Sequence, residues 1–382
     1  NEMKSRLDKK LNKLDSGVNI YTYHGFCNEI INENSTEFEL PQDYKIITEA
    51  VSRTFLKECI DELNPKAYRT TKNDPYFYIK EISEQIKEIK KNRLTKEKFF
   101  ENIEKNPDWK PQLENLKHKL DEKNKKGDTR TKTLIDDIAK QEKKIAKIEE
   151  LWEFYELYKS KMEAAHYLDF DDMICFVLDK FENEAGFLSK IANHYEYLLV
   201  DEYQDTNKSQ NEIVFNLTKA LESENVFVVG DDDQIIYSFQ GAKLDTIEKF
   251  LKEFPDTKVI CLTENMRSTQ SILDAARQIA KQDSNSLESN PEFAHYNITK
   301  NLVAKNEKIY ANDKKVRCYK YADILQEYNE IVNEIENLVN SDKCPVNDMG
   351  EKDLSQIAIL TKNNSELSTF AEILKEHNIP SE

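Results

Sequence analysis

The sequence predicts an α/β protein whose parallel sheet is interrupted by a helical insertion and followed by the start of a second domain of the same kind. Three observations predict it. Short apolar runs at 197–202 (YLLVDE), 225–233 (NVFVVGDDD) and 258–265 (KVICLTEN) alternate with helical stretches, the pattern of βα units in a parallel sheet. A later run, SQIAILTKNN at 355–364, is followed by amphipathic SELSTFAEILKEHNI and repeats the unit. Residues 64–165 break the alternation with charge-dense helical sequence.

In chain order, NEMKSRLDKKL has helical spacing, VNIYTYHGF (18–26) reads as a strand running into a loop, and 28–63 is mainly helical. Within the insertion a polar break, DEKNKKGDTRTK (121–132), precedes a long helix. On that helix Ile138, Ile145, Ile148, Trp152 and Tyr155 follow three-four spacing. The stripe suits core packing or a helical hairpin better than a dimeric coiled coil, which needs several sustained heptads. Leu198, Leu199 and Val200 read as a short central strand, since a continuous apolar run suits a sheet covered on both faces. Residues 281–315 are polar and irregular, and YADILQEYNEIVNEIENLVN is a plain amphipathic helix. The expected division is a first domain of 1–63 and 166–255, an insertion of 64–165, and a partial second domain of 256–382.

The 382 residues, 38% apolar and 33% charged, can build two or three domains with an unusually charged surface. No apolar run approaches the ~20 residues of a membrane helix, and the amino end shows no signal-peptide pattern. The six cysteines are scattered without a CxxC pair, which suggests neither zinc nor a disulfide framework and favours a reducing, cytoplasmic setting. A net charge of −17 argues against a basic coat for nucleic acid. Residues 80–165 nevertheless hold 22 Lys and Arg against 19 Asp and Glu, and local basic surface decides whether phosphate can dock. Beginning at Asn1 and ending on NIPSE, the chain reads as a piece of something longer.

Chemistry gathers at the strand ends. YLLV stops abruptly in Asp201 and Glu202, with Asp205 close behind. Open α/β sheets bind ligands at the carboxyl ends of their strands, and two carboxylates are costly to bury there without a cation or polar partner. Taken alone, the acids equally suit a strand entering an acidic surface turn. FVVGDDDQIIYSFQGA (227–242) has the same architecture, with acids, Gln234 and aromatics after the strand, and LTENMRST (262–269) places Arg267 just past a third. Aspartate with Mg²⁺, glutamate to activate water, and Gln and Arg to hold phosphoryl charge are what nucleotide hydrolysis needs. One such end is weak evidence; three in order are strong.

These stretches resemble the UvrD/Rep-type superfamily 1A DNA helicases. VDEYQDTN resembles their Walker B element, VVGDDDQIIYSFQGA their motif III and LTENMRST their motif IV. YTYHGFC (21–27) is similar to the family's TFH segment, which contacts single strands, and LDFDDMI (168–174) to the helix before the Walker B strand. IAILTKNN resembles an early strand of the second motor domain, and 64–165 falls where the family carries its helical 1B insertion.

The resemblance implies RecA-like motor domains, ATP and Mg²⁺ as cofactors, and single-stranded DNA and a duplex junction as partners. Asp201 would hold Mg²⁺, Glu202 would polarise the attacking water, Gln234 would sense the γ-phosphate and Arg267 would stabilise its charge. Met266 and Arg267 would contact the nucleotide, Met266 standing where the family often has an adenine-stacking Tyr. Tyr23, His24, Tyr237 and Phe239 would face single-stranded DNA, where aromatic stacking contributes ~1–3 kcal/mol per base. Phe239 suits a core aromatic as well. Asp201, Glu202, Gln234 and Arg267 should then converge on one cleft between two lobes, and movement should run 3′ to 5′.

The sequence departs from the pattern in several places. None of its seven glycines sits in a G-x-x-x-x-G-K-[ST] frame; in the family that loop lies upstream of a segment like NEMKSRL, so residues 1–382 are expected to lack ATPase activity by themselves. Motifs V and VI are expected beyond residue 382. Phe239 stands where Trp is frequent and Gln240 where Arg is frequent. Met266 is a soft, adaptable packing residue, which places nucleotide selectivity in question. Two other readings stand beside the motor. One is a Mg²⁺-dependent nuclease using Asp201, Asp205 and the acids at 231–233, without an accompanying lysine. The other is a non-enzymatic scaffold that binds DNA or a partner.

Overall fold

The computed structural model describes residues 6–7, 9–10, 18–38, 40–41, 43–68, 74–125, 131–221, 223–235, 246–282, 286–310, 313–347 and 350–381. The chain divides into two compact units, residues 1–261 with 283–299, and residues 262–282 with 300–382.

The first unit opens with a correction. The stretch read as a strand at 18–26 carries no ladder; instead helix α1 (Tyr23–Glu33) starts inside it. Thr22 turns the chain by accepting the Gly25 N–H on its side chain at 3.1 Å, a threonine N-cap that ends extended structure locally. A Cβ on Gly25 would lie 3.2 Å from the same hydroxyl, so glycine keeps the cap tight. Helix α1 turns Cys27, Ile30 and Ile31 inward. Strand β1 (Lys45–Ile46) leads to α2 (Glu49–Leu63), capped by Thr48.

The insertion is helical as expected. It comprises α3 (Ile79–Lys91), α4 (Lys96–Lys105), α5 (Lys110–Lys125) and α6 (Lys132–Ala164). The predicted stripe on α6 packs inward, with Ile138, Ile145 and Trp152 buried and Ile148 and Tyr155 against the same core. Helices α5 and α6 lie side by side as a hairpin. Ile82, Ile86 and Ile89 of α3 meet Phe154, Tyr158 and Met162 of α6, each large apolar side chain contributing about 1.5–3 kcal/mol by leaving water.

After β2 (Tyr167–Leu168), which pairs in parallel with β1, comes α7 (Phe170–Asn183), begun by a capping box between Asp169 and Asp172. Helices α7, α8 (Ala185–Ala192) and α9 (Lys208–Ala220) close with α1 over a second core containing Met173, Val177, Leu178, Phe187 and Ile213. Strands β3 (Leu198–Val200) and β4 (Val226–Val228) run in parallel, with Leu198 opposite Val226 and Val200 opposite Val228. A third core, including Tyr203, Val214 and Phe250, draws in α10 (Thr246–Glu253).

The expectation of a sheet covered on both faces is not met. Leu198 and Val200 turn inward, whereas Leu199 is 70% and Phe227 56% exposed. Among the described residues no element packs on that face.

In the second unit, β5 (Glu264–Asn265) pairs in parallel with β6 (Val303–Ala304) rather than with β4. The longer runs read as strands at 258–265 and 355–364 are extended but mostly unladdered, because a strand needs a bonded neighbour. Helix α11 (Gln270–Ala280) follows β5, and α12 (Ile324–Val339) packs on α13 (Asn364–Glu376) through Tyr328, Val332, Phe370 and Leu374. No helix among the described residues is long and apolar enough to cross a membrane.

Candidate functional site

The end of β3 is built by its neighbour. The N–H of Val229 donates to the Val200 carbonyl at 2.9 Å, and the N–H of Tyr203 donates to the Val229 carbonyl at 2.8 Å. Parallel pairing therefore carries both strands to the same edge and turns them there together. Asp201 and Glu202 leave β3 at this edge with exposed side chains. Asp201 accepts the Glu202 N–H on Oδ1 at 3.0 Å. Glu202 has φ of 48°, a left-handed conformation that costs a non-glycine residue about 1–2 kcal/mol. Such strain persists where the surrounding structure over-determines it.

That support comes from Gln204, a side chain whose role the sequence alone does not signal. It is 2% exposed although it sits between acids. Its Nε2 donates to Glu202 Oε2 at 2.7 Å, and its Oε1 accepts the N–H of Asp231 at 3.1 Å. Only this amide orientation satisfies both neighbours. Gly230 makes room for it, since a Cβ there would stand 2.8 Å from Gln204 Oε1 and 3.3 Å from its backbone N.

Past β4, Asp231 organises the turn that bears Gln234. Its Oδ1 accepts the Asp233 N–H at 3.1 Å, and its Oδ2 accepts Gln234 Nε2 at 2.7 Å. Asp232 Oδ2 accepts the Leu287 N–H at 2.8 Å. Asp231, Asp232 and Asp233 bring carboxylate oxygens within 4.8 Å of one another, and the carboxylates of Asp231 and Asp232 also accept the bonds just described. Asp205 has Oδ1 enclosed without a hydrogen bond, and burial, then Glu202, raises its pKa. Asn207 completes the loop as a capping box on α9 with Gln210.

Around α1, Tyr23 and His24 part company. The Tyr23 ring packs against two cores, and its hydroxyl is enclosed without a partner, burial pushing the phenol's pKa up. It is therefore not an open stacking face, because the helix start that Thr22 fixes points it inward. His24 is more accessible, and its ring centroid lies 5.2 Å from that of Phe170, tilted by 53°. Burial lowers the His24 pKa, with Asp169 opposing, which favours a neutral ring. Phe170 is 52% exposed, an aromatic that the sequence does not mark as open. It falls on the apolar stripe of α7, so periodicity alone assigns it to the core. Tyr237, Phe239 and Gln240 lie outside the described residues.

In the second unit, Asn265 Oδ1 accepts both the Arg267 N–H at 2.9 Å and the Ser268 N–H at 2.7 Å. Asn306 Nδ2 donates to the Met266 carbonyl at 3.0 Å. The backbone of this turn is thus fixed from two sides, while the Met266 and Arg267 side chains are exposed.

Adjacent parallel strands that end in an open Asp–Glu pair and an Asp-braced glutamine define an α/β protein with its polar groups gathered at one edge of the sheet. Comparison with known proteins agrees. Residues 1–255 match the family model of the UvrD/REP helicase N-terminal domain, and residues 260–382 match that of the UvrD-like helicase C-terminal domain. The chain belongs to the UvrD/REP helicase family, with domains of RecA-like type. It is 27% identical over 380 residues to a protein named ATP-dependent DNA helicase PcrA from Leuconostoc citreum, covering 99% of this chain and 41% of that one. A protein of the same name from Staphylococcus epidermidis is 27% identical, with 99% and 42% covered. A probable DNA helicase II homolog from Mycoplasma capricolum subsp. capricolum is 29% identical over 280 residues, covering 73% of this chain and 32% of that protein. The chain thus spans about two fifths of the two PcrA relatives and about a third of the third.

Proposed function

We propose that this chain supplies most of the first motor domain, its helical insertion and the opening part of the second motor domain of an ATP-dependent DNA translocase. The observation that carries the reading is the hydrogen-bonded continuity, through Gln204 and Asp231, from Glu202 to Gln234 across the ends of two parallel strands. Ligands of open α/β sheets bind at such ends.

Asp201 fits a Mg²⁺ ligand, because its carboxylate is exposed at the strand end with one oxygen turned to the Glu202 N–H. The bound cation would neutralise phosphate charge. Glu202 is oriented by Gln204 to take a proton from water, and Gln234 is braced by Asp231 to meet the terminal phosphate. Arg267 supplies cationic charge from the second unit, with Met266 beside it for the base. His24 and Phe170 offer aromatic faces to unpaired bases, together with Tyr237 and Phe239, and the family resemblance supports 3′ to 5′ movement.

The test is Glu202→Gln in the full-length protein. DNA-stimulated phosphate release should fall by about 10²–10⁴, while binding of a fluorescent ATP analogue persists. Turnover at the unaltered rate would overturn the reading.

A further inference from the structure

The geometry points to Gln204 as a positioning residue that makes the carboxylate of Glu202 and the turn bearing Gln234 one mechanical unit; this rests on the proposed hydrolytic roles of Glu202 and Gln234. Four observations converge on it. The side chain is nearly fully buried, so its amide has no water to satisfy it. Both ends of that amide are committed, one to the Glu202 carboxylate and one to the first N–H of the turn at Asp231. Asp231 in turn holds Gln234 through its carboxylate. Gly230 is the residue whose missing side chain leaves space for the bridge.

A buried amide of this kind transmits position in both directions. A shift of Gln234 moves the Asp231 carboxylate, and with it the N–H that Gln204 accepts. The amide is short and rigid, so its opposite end must turn against Glu202. Contact at the terminal phosphate would thereby reset the orientation of the water-activating carboxylate. Gln204 touches neither water nor nucleotide in this scheme. Its contribution is to make hydrolysis depend on the state of the turn.

The experiment uses the full-length protein with ATP, Mg²⁺ and oligo-dT as probes. Gln204→Met keeps length and burial while removing both hydrogen bonds. The expected result is a loss of DNA-stimulated kcat of about 100-fold, the scale of a small misplacement of a reacting group, with nearly unchanged affinity for a fluorescent ATP analogue. Combining Gln204→Met with Gln234→Ala should be no worse than the poorer single variant, because the two act as one unit. Gln204→Glu should regain activity relative to Gln204→Met as pH is lowered, since a protonated carboxyl can donate to Glu202 and accept from Asp231. If Gln204→Met fails to fold, Gly230→Ala carries the same test, its methyl displacing the amide from the other side. An unaltered kcat in the folded variant, or strictly additive losses with Gln234→Ala, overturns the proposal. Glu202→Gln separates the two failures. If it is inactive while Gln204→Met is fully active, the coupling is wrong and the motor reading stands; if it is itself active, the motor reading fails.

Discussion

The ammonium of Lys90, 3% exposed, sits 2.6 Å from a carboxylate oxygen of Asp169 and 2.7 Å from one of Asp172. This ties α3 of the insertion to the start of α7. Burial works to lower the Lys90 pKa, but the two carboxylates, Asp169 foremost, outweigh it and hold the pKa raised. Arg93, just past the end of the same helix with φ of 46°, adds ion pairs to Asp179, Glu182 and Glu212. Lys208 donates to the Asn92 carbonyl at 3.2 Å. The insertion is fastened by charge, at the helix that carries Phe170.

Lys90→Met should therefore destabilise the first unit by up to about 3–5 kcal/mol, because two part-buried carboxylates lose their counter-charge. Adding Asp169→Asn and Asp172→Asn should recover most of that loss, since asparagine still caps a helix. Urea midpoints of the single and triple variants measure the difference. Equal destabilisation in both would show that the pair contributes through packing alone.

The His24–Phe170 contact predicts a stacking platform. Phe170→Ala should weaken binding of an unpaired oligonucleotide by about 1–3 kcal/mol, without sequence preference. It should leave stability almost unchanged, because the side chain is half exposed. Fluorescence anisotropy with oligo-dT checks the first expectation and thermal melting the second. A large fall in melting temperature with intact affinity would return Phe170 to the core.

Asp171 supplies a pH signature. Burial, then the neighbouring Asp169, pushes its carboxyl up to about 6, whereas an unfolded Asp titrates near 3.9. Between those values the folded state holds more protons than the unfolded, so this group's contribution is most favourable in acid and declines as pH rises through about 6. Asp171→Asn removes the desolvation cost at neutral pH. It should raise the melting temperature by about 2–4 °C there, and the gain should shrink as pH falls below about 6. A gain independent of pH would place its origin elsewhere.

Residues 1–382, purified alone, should show no DNA-stimulated phosphate release. No glycine in the sequence sits in a phosphate-cradling frame, the frame whose backbone N–H groups would hold the phosphates. Robust release above a Glu202→Gln control would show that another segment of this sequence holds the phosphates.

The two strand ends were legible because apolar runs stopping in acids leave a pattern that composition cannot hide. The long insertion helix was legible through its three-four stripe. Other features had no such signal. Thr22 converts a β-looking run into a helix start through one hydroxyl, and Tyr23 turns inward as a consequence. Gln204 looks like a solvated polar residue among acids, and only the strand pairing that brings Asp231 above it reveals a buried bridge. Phe170 obeys core periodicity and yet is open, because its place in the first turn leaves it half uncovered. The third apolar run joins β6 instead of β4, a choice of partner that local sequence does not encode.

The charge of the insertion yields the last prediction. Along its body many lysines are already paired with nearby acids: Lys96 with Glu156, Lys117 with Glu142, Lys147 with Glu81 and Lys161 with Glu62. The exposed pairs among them contribute little stability, but all four neutralise charge, so the body offers little net charge to phosphate. The segment KNKKGDTRTK at 123–132, between α5 and α6 in the sequence, concentrates lysine and arginine; its residues 126–130 lie outside the described part of the structure. If the insertion meets duplex at a junction, this segment is where it should do so. Reversing Lys123, Lys125 and Lys126 to Glu in the full-length protein should lower the salt slope of junction binding by about one for every phosphate no longer neutralised. Single-strand-stimulated ATPase should stay nearly intact, since Glu202 and Gln234 are untouched. Junction affinity and slope that match the unaltered protein would make the insertion a structural element only.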